Sequence, residues 1–409
     1  METQPLILPT TTAETLASAA TPPKPPSSSQ FKTFANVLIS IVGSGILGLP
    51  YTFNRTGWLA GLIILFSVAS LAYYCMITLI TIRRQLEFRN PDIPITSFGD
   101  LGFAVCGVSG RCVVDLMIIL TQAGFCVSYL IFISETLAHV FNVSDKSLFI
   151  WAMMPIQMGL NSIPTLTHLA PLSIFADVVG VGALGVAMAN NARVFIAEKP
   201  ALHAFKGSSS SLLYGVGVAA YAYEGVGMVL PLESETTQRS KFPKVLGVSM
   251  IFITLTYAAF GVLGYMAFGE DTKGIITVNL GAGFVSYLVQ FGLCVNLFFT
   301  FPLMMNPVYE VAERRFGDDG YRMWMRWVGV VGVTVVAVVV PNFADFLSLV
   351  GSSVCIALGF VLPAWFHLMI FRGELRWWRV AMDLCVVVLG VGLGISGTWT
   401  SLVKIFGSA

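Results

Sequence analysis

Long apolar runs separated by short polar breaks fill the chain from about residue 33 to residue 403. A helix needs roughly 20 such residues to cross the hydrocarbon core of a bilayer. Eleven spans are predicted, at 33–54, 57–82, 112–141, 147–163, 168–196, 209–232, 244–268, 279–311, 323–341, 344–371 and 377–403. The fourth is short, carries Pro155 and is followed directly by Pro164. Several others exceed the length of a straight crossing, so tilted helices are expected. The pattern is that of an all-α integral membrane protein. Two spans share an interruption: Gly43–Pro50 reads GSGILGLP, and Glu224–Pro231 reads EGVGMVLP. A glycine-rich break strands backbone N–H and C=O groups, which is tolerable only where the break is buried in protein or lines a cavity. Paired breaks at matching places in two halves point to the substrate site of a secondary transporter. Close helix packing is the other use of such glycines. Two matched motifs, each closed by Leu-Pro, favour the site.

Polar segments supply orientation. If the N-terminus is cytosolic, sixteen of the 23 Lys and Arg residues face the cytosol and seven face the other side. By the positive-inside rule this predicts a cytosolic N-terminus and a non-cytosolic C-terminus. The sequons at Asn54 and Asn142 then both fall on the non-cytosolic side. Spans 1 and 6 cross in opposite directions. The chain therefore divides into repeat one (33–196), repeat two (209–371) and an extra helix (377–403). This is the LeuT-type 5+5 inverted repeat, with broken helices 1 and 6 meeting near the membrane midplane. Residues 31–409 form one transmembrane domain. Residues 1–30, rich in Thr, Ser, Ala and Pro, form a predicted disordered cytosolic tail. No apolar core precedes Lys32, so no cleavable signal peptide is expected. Glu2–Ile7 matches the acidic dileucine pattern that sorts membrane proteins to vacuoles or lysosomes.

Composition narrows the function classes. Charged residues make up 11% of the chain and hydrophobic ones 56%, against about 25% charged in a soluble domain. No basic cluster suggests nucleic acid. The seven cysteines have no metal-ligand spacing. Five lie in apolar spans, where packing is the expected role, and Cys106 and Cys112 lie near a predicted cytosolic loop, where a disulfide is unusual. No catalytic cluster and no metal site are expected, and no cofactor beyond a proton gradient. The expected partners are small-molecule amino acids and the lipid bilayer.

The breaks suggest their own chemistry. Where a helix stops, free N–H groups are partly positive and free carbonyls partly negative. The amides of Gly43, Ser44, Gly45 and Ile46 suit a carboxylate, and glycine lets a ligand approach the backbone. Carbonyls near Tyr221, Ala222 and Tyr223 suit an ammonium group. Together they match the zwitterion of an amino acid. Among ionisable residues inside spans, which default to functional candidates, Asp115 and Asp383 sit four residues after Arg111 and Arg379 and are expected to pair with them. Glu135 lies near a span end, within reach of water. Asp177 and Glu224 lie several turns from helix ends with no Lys or Arg at helical spacing, which makes them proton-coupling candidates. Glu224 occupies the break itself, where a structural acid bonding the unwound backbone is the competing role. Gln122, Tyr129, Asn296 and Thr300 are further polar residues near mid-span. Each suits substrate contact or interhelical hydrogen bonding.

The stretch Ser28–Gly61 resembles the first span of the amino acid/auxin permease family, most of all its plant vacuolar branch. It is also similar to proton-coupled amino acid transporters of animal lysosomes. ITSFGDLGF (Ile95–Phe103), YAYEGVGMVLPLESE (Tyr221–Glu235), FPLMMNPVYEVAE (Phe301–Glu313) and Leu347–Leu368 extend the match toward the C-terminus. The resemblance implies an eleven-span, proton-linked transporter of neutral amino acids in the vacuolar membrane, running from acidic lumen to cytosol. It also implies substrate recognition by Gly43–Ile46 and by Tyr223, Glu224 and Gly225. An amino acid sensor using the same pocket is the alternative. The short low-complexity tail favours transport.

Overall fold

The computed structural model describes residues 29–407, apart from 90, 92–94, 164–165, 199, 282 and 316–320. The predicted tail and its dileucine pattern lie almost wholly outside the described residues. In chain order the helices are α1 (Gln30–Ile41), α2 (Gly45–Thr56), α3 (Trp58–Arg89), α4 (Phe98–Phe141), α5 (Ser147–Asn161), α6 (Leu166–Glu198), α7 (Ser209–Ala222) and α8 (Val226–Glu235). They continue with α9 (Phe242–Phe268), α10 (Phe284–Arg315), α11 (Met323–Val339), α12 (Phe343–Val350), α13 (Leu362–Ile370) and α14 (Trp377–Gly407). Between α12 and α13 the helix widens into π-helical turns, Gly351–Cys355 and Ala357–Val361, whose closing N–H groups bond five residues back.

Among the described residues, eight helices are long and apolar enough to cross a membrane, or nine when α1 and α2 count as one bent span. α5, at 15 residues, and α11, at 17, are shorter. Most boundaries fall within a few residues of the predicted ones. α4 is the exception: it begins at Phe98, capped reciprocally by Ser97 and Asp100. At Gly107 the backbone takes φ 63°, a conformation glycine adopts at little cost. The short leading arm folds back there, so that a Cβ on Gly102 would meet the Gly110 carbonyl at 2.9 Å. Outside the membrane, the Ser147 backbone N–H donates to Asp145 at 2.9 Å, holding that carboxyl below its ordinary range and starting α5.

Hydrocarbon cannot solvate a backbone carbonyl, so the bundle satisfies such groups internally. Pro302 in α10 removes the N–H that would bond the Phe298 carbonyl. Gln157 of α5, with no exposed surface, donates to that oxygen at 2.9 Å. At one end of the bundle Arg83, 2% exposed, donates to the Leu230 carbonyl (2.9 Å) and faces Glu87 (2.8 Å) and Glu233 (3.5 Å). Arg84 also pairs with Glu233, at 2.7 Å. These contacts tie α8 to α3. At the opposite end Asp345 of α12 faces Arg55 at 3.6 Å and pairs with Lys404 of α14.

Candidate functional site

Both predicted interruptions are present. The first span stops at Ile41 and resumes at Gly45, bent by 58°. The sixth stops at Ala222 and resumes at Val226. The two breaks abut reciprocally. A Cβ on Gly45 would lie 2.6 Å from the Ala222 Cα, and one on Gly225 would lie 2.7 Å from Ile41 Cγ1. Each break thus presses a glycine onto the last helical residue before the other. The Tyr257 hydroxyl of α9 sits at the crossing, 3.1 Å from both the Ile41 and the Ala222 carbonyl oxygens, and donates to them.

The free polar groups gather around this crossing. Among the described residues the N–H groups of Ser44, Gly45 and Ile46 have no hydrogen-bond partner, which leaves the start of α2 partly positive. The Gly43 N–H faces the Tyr257 oxygen. Ser44 Oγ, Ser128 Oγ and the Tyr221 hydroxyl form a buried triangle with sides of 3.2, 2.9 and 2.6 Å. Phe125 packs edge-on against Tyr221, with centroids 4.8 Å apart. The Tyr129 hydroxyl points at the first break, 3.7 Å from where a Gly43 Cβ would stand.

Other predicted residues fall into distinct places. The Tyr223 hydroxyl is buried in the second break. Gln122, two turns before Tyr129 on α4, has a buried side-chain oxygen with no partner. Asn296 donates to Asp177 at 3.3 Å, an α10–α6 pair. Thr300 bonds back to the Asn296 carbonyl in its own helix. Glu224 is 8% exposed and takes the Val226 and Gly227 N–H groups, capping α8. No Lys or Arg pairs with it among the described residues. Of the carbonyls expected to face an ammonium group, that of Tyr221 accepts the Glu224 N–H at 3.3 Å and that of Ala222 takes Tyr257. That leaves the Tyr223 carbonyl.

Two acids depart from the expected surroundings, and a third keeps its expected partner and gains another. Asp383 pairs with His367 rather than Arg379. Glu135 is bound by Lys146 at 2.8 Å rather than by water alone. Asp115 lies 3.9 Å from Arg111 as expected, and closer, at 2.6 Å, to Arg314. Sequence reasoning passed over Tyr257 and Ser128. A tyrosine or serine on an apolar helix carries no local sign that it will meet a break.

Comparison with known proteins rests on nearly the whole chain. The model of the transmembrane amino acid transporter proteins matches residues 26–403. The chain belongs to that family. A relative from Arabidopsis thaliana, amino acid transporter AVT3B, is 61% identical over 93% of this chain and 95% of its own. Vacuolar amino acid transporter 4 of Saccharomyces cerevisiae is 25% identical over 92% of this chain and 58% of its own. The fold is similar to that of MhsT, solved in complex with L-phenylalanine, with TM-score 0.54 and 13% identity over 92% of this chain and all of that one. The family member described here thus has the LeuT-type fold.

Proposed function

We propose that this protein is a proton-linked secondary transporter of neutral amino acids in the vacuolar membrane, carrying them from the acidic lumen to the cytosol. The observation that carries the reading is the reciprocal contact of the two broken helices, with three unpartnered amides at the start of α2. Those amides and the Gly43 backbone hold the substrate carboxylate. The Tyr223 carbonyl and the break through Glu224 and Gly225 take the ammonium. Tyr129 and Gln122 border the side chain, and Asn296 acts through Asp177. Glu224 carries the proton, with Asp177 as the second candidate. The N-terminus is cytosolic and the C-terminus lumenal. Eleven crossings comprise two inverted repeats, 33–196 and 209–371, and the added helix at 377–403. The vacuolar setting draws on the name of the yeast relative and on the dileucine pattern of the tail.

The test uses purified protein in liposomes preloaded with labelled alanine, the interior at about pH 5.5 and the exterior at about pH 7. Efflux faster with the gradient than without it, with the acceleration lost in Glu224→Gln, is the expected result. Acceleration unchanged in Glu224→Gln moves the proton to Asp177. No protein-dependent efflux from folded protein that binds an amino acid refutes transport and leaves the sensor.

A further inference from the structure

Another buried acid, Asp383, lies away from the breaks. Asp383, six residues into α14, has no exposed side-chain surface. Its oxygens have separate partners. The Tyr74 hydroxyl of α3 donates to Oδ1 at 2.5 Å, and His367 Nδ1 of α13 lies 2.6 Å from Oδ2. His367 is 5% exposed and packs against the Phe371 ring, with centroids 4.9 Å apart. Its Nε2 has no hydrogen-bond partner among the described residues.

Most other charged or titratable groups on the elements around the pair are engaged elsewhere, while Arg372 and Arg376 in the loop between α13 and α14 have no side-chain partner among the described residues. On α14, Arg379 lies over Trp378 at 5.1 Å. On α3, Cys75 bonds the Phe360 carbonyl at 3.9 Å, and Arg83 is held by Glu87 and Glu233. On α4, Cys106 touches Met369 at 3.5 Å and Asp115 pairs with Arg314. In the adjoining loop Glu374 pairs with Arg89 at 2.8 Å. His367 is thus the sole ionic partner of Asp383 among the described residues.

Charge balance then restricts the pair. An ionised Asp383 beside a neutral imidazole leaves one uncompensated negative charge out of water, with a neutral O–H as its other support. A carboxylate beside an imidazolium, or a carboxylic acid beside a neutral imidazole, is neutral overall. Both neutral forms hold one proton more, and that proton belongs to the pair rather than to either residue. Nε2 is the nitrogen free to exchange it.

We propose that His367 and Asp383, with Tyr74 positioning the carboxylate, form a proton-binding site separate from the helix breaks. It is filled while α3, α13 and α14 pack as they do here, and emptied when they part and admit water. The proton therefore holds the three helices together. The site is mechanically linked to the second break. The helix carrying His367 begins in the π-helical turns, where Glu224 Oε2 lies 3.2 Å from a Cβ placed on Gly359. Eight residues, about 12 Å of helix, separate Gly359 from His367.

The inference rests on the transport reading only for its rate measurement. Exchange of labelled for unlabelled alanine is followed in liposomes with equal pH on both sides, from about pH 5.5 to about pH 7.5. Wild-type exchange slows on acidification, by up to about tenfold per pH unit for one proton. Asp383→Asn removes that dependence, and Tyr74→Phe shifts its midpoint but keeps it. Glu224→Gln retains it even where gradient-driven efflux is lost. In detergent, without transport, the wild-type melting temperature rises on acidification, and Asp383→Asn lacks that portion of the rise. If Asp383→Asn does not fold, the double variant Asp383→Asn/His367→Gln removes both charges at nearly constant shape. Equal pH profiles and equal melting shifts in folded wild type and variant overturn the proposal. An absence of wild-type exchange refutes transport instead, and the melting comparison then decides this site by itself.

Discussion

Replacing Gly45 with alanine tests the reciprocal packing of the breaks. The new Cβ would lie 2.6 Å from the Ala222 Cα and 2.9 Å from its Cβ. Carbon atoms pack at about 3.5–4.0 Å, so the shortfall is about 1 Å and the nearer obstacle is backbone. α2 and α7 must therefore separate. Overpacking of this kind costs about 1–3 kcal/mol. A displacement of about 1 Å at a binding site lowers rate by on the order of a hundredfold. Gly225→Ala is the internal control. Its Cβ meets Ile41 Cγ1 at 2.7 Å, a side chain able to turn, and Gly225 has the extended φ of −165° that any residue adopts. Alanine exchange in liposomes, normalised to folded protein, should rank wild type above Gly225→Ala and Gly225→Ala above Gly45→Ala, and melting temperatures in detergent should follow. Adding Ala222→Gly to Gly45→Ala should restore little, because the backbone of residue 222 still obstructs the new methyl group. Wild-type exchange and melting in Gly45→Ala, or a greater loss in Gly225→Ala, would refute the geometry.

Tyr257→Phe keeps the ring and removes the donor shared by the two helix ends. It should lower stability by about 1–2 kcal/mol, and an unchanged melting temperature would show that the hydroxyl does not bridge the breaks. Arg83→Ala leaves the buried Leu230 carbonyl without its donor and Glu233 with Arg84 alone, so it should cost about 1–3 kcal/mol and reduce folded protein on size-exclusion chromatography. Arg83→Lys should recover that only in part, since it lacks the planar fork. Asn54 Nδ2 donates to the Glu270 and Thr272 carbonyls at 3.0 and 3.2 Å, and its oxygen takes Lys206 at 2.8 Å. Any glycosidase-sensitive mobility shift should therefore vanish in Asn142→Gln and survive in Asn54→Gln.

Much of the architecture was legible because bilayer physics is one-dimensional. A span announces itself by length and apolarity, and a break by glycine and proline within it, so α3, α9 and α14 and both interruptions could be read directly. The leading arm of α4 could not, because its direction depends on the positive φ at Gly107. The site was half legible. Gly43–Ile46 and Glu224 stand in local motifs. The role of Glu224 as the cap of α8 also follows from its place at a helix start.

Partners distant in sequence were the part that only the tertiary structure decided. Local spacing assigned Asp383 to Arg379, four residues away. The bundle instead brings it to His367 and to Tyr74, 309 residues distant. Gln157 and the Phe298 carbonyl, 141 residues apart, and Tyr257 and the Ile41 carbonyl, 216 apart, are likewise beyond the reach of local spacing. The sequence by itself determined which segments form long apolar helices and where two of them must break. Three-dimensional packing decided what meets each polar group, because a buried polar atom takes whichever partner the neighbouring helix presents, and helix neighbours are set by the shape of the whole bundle.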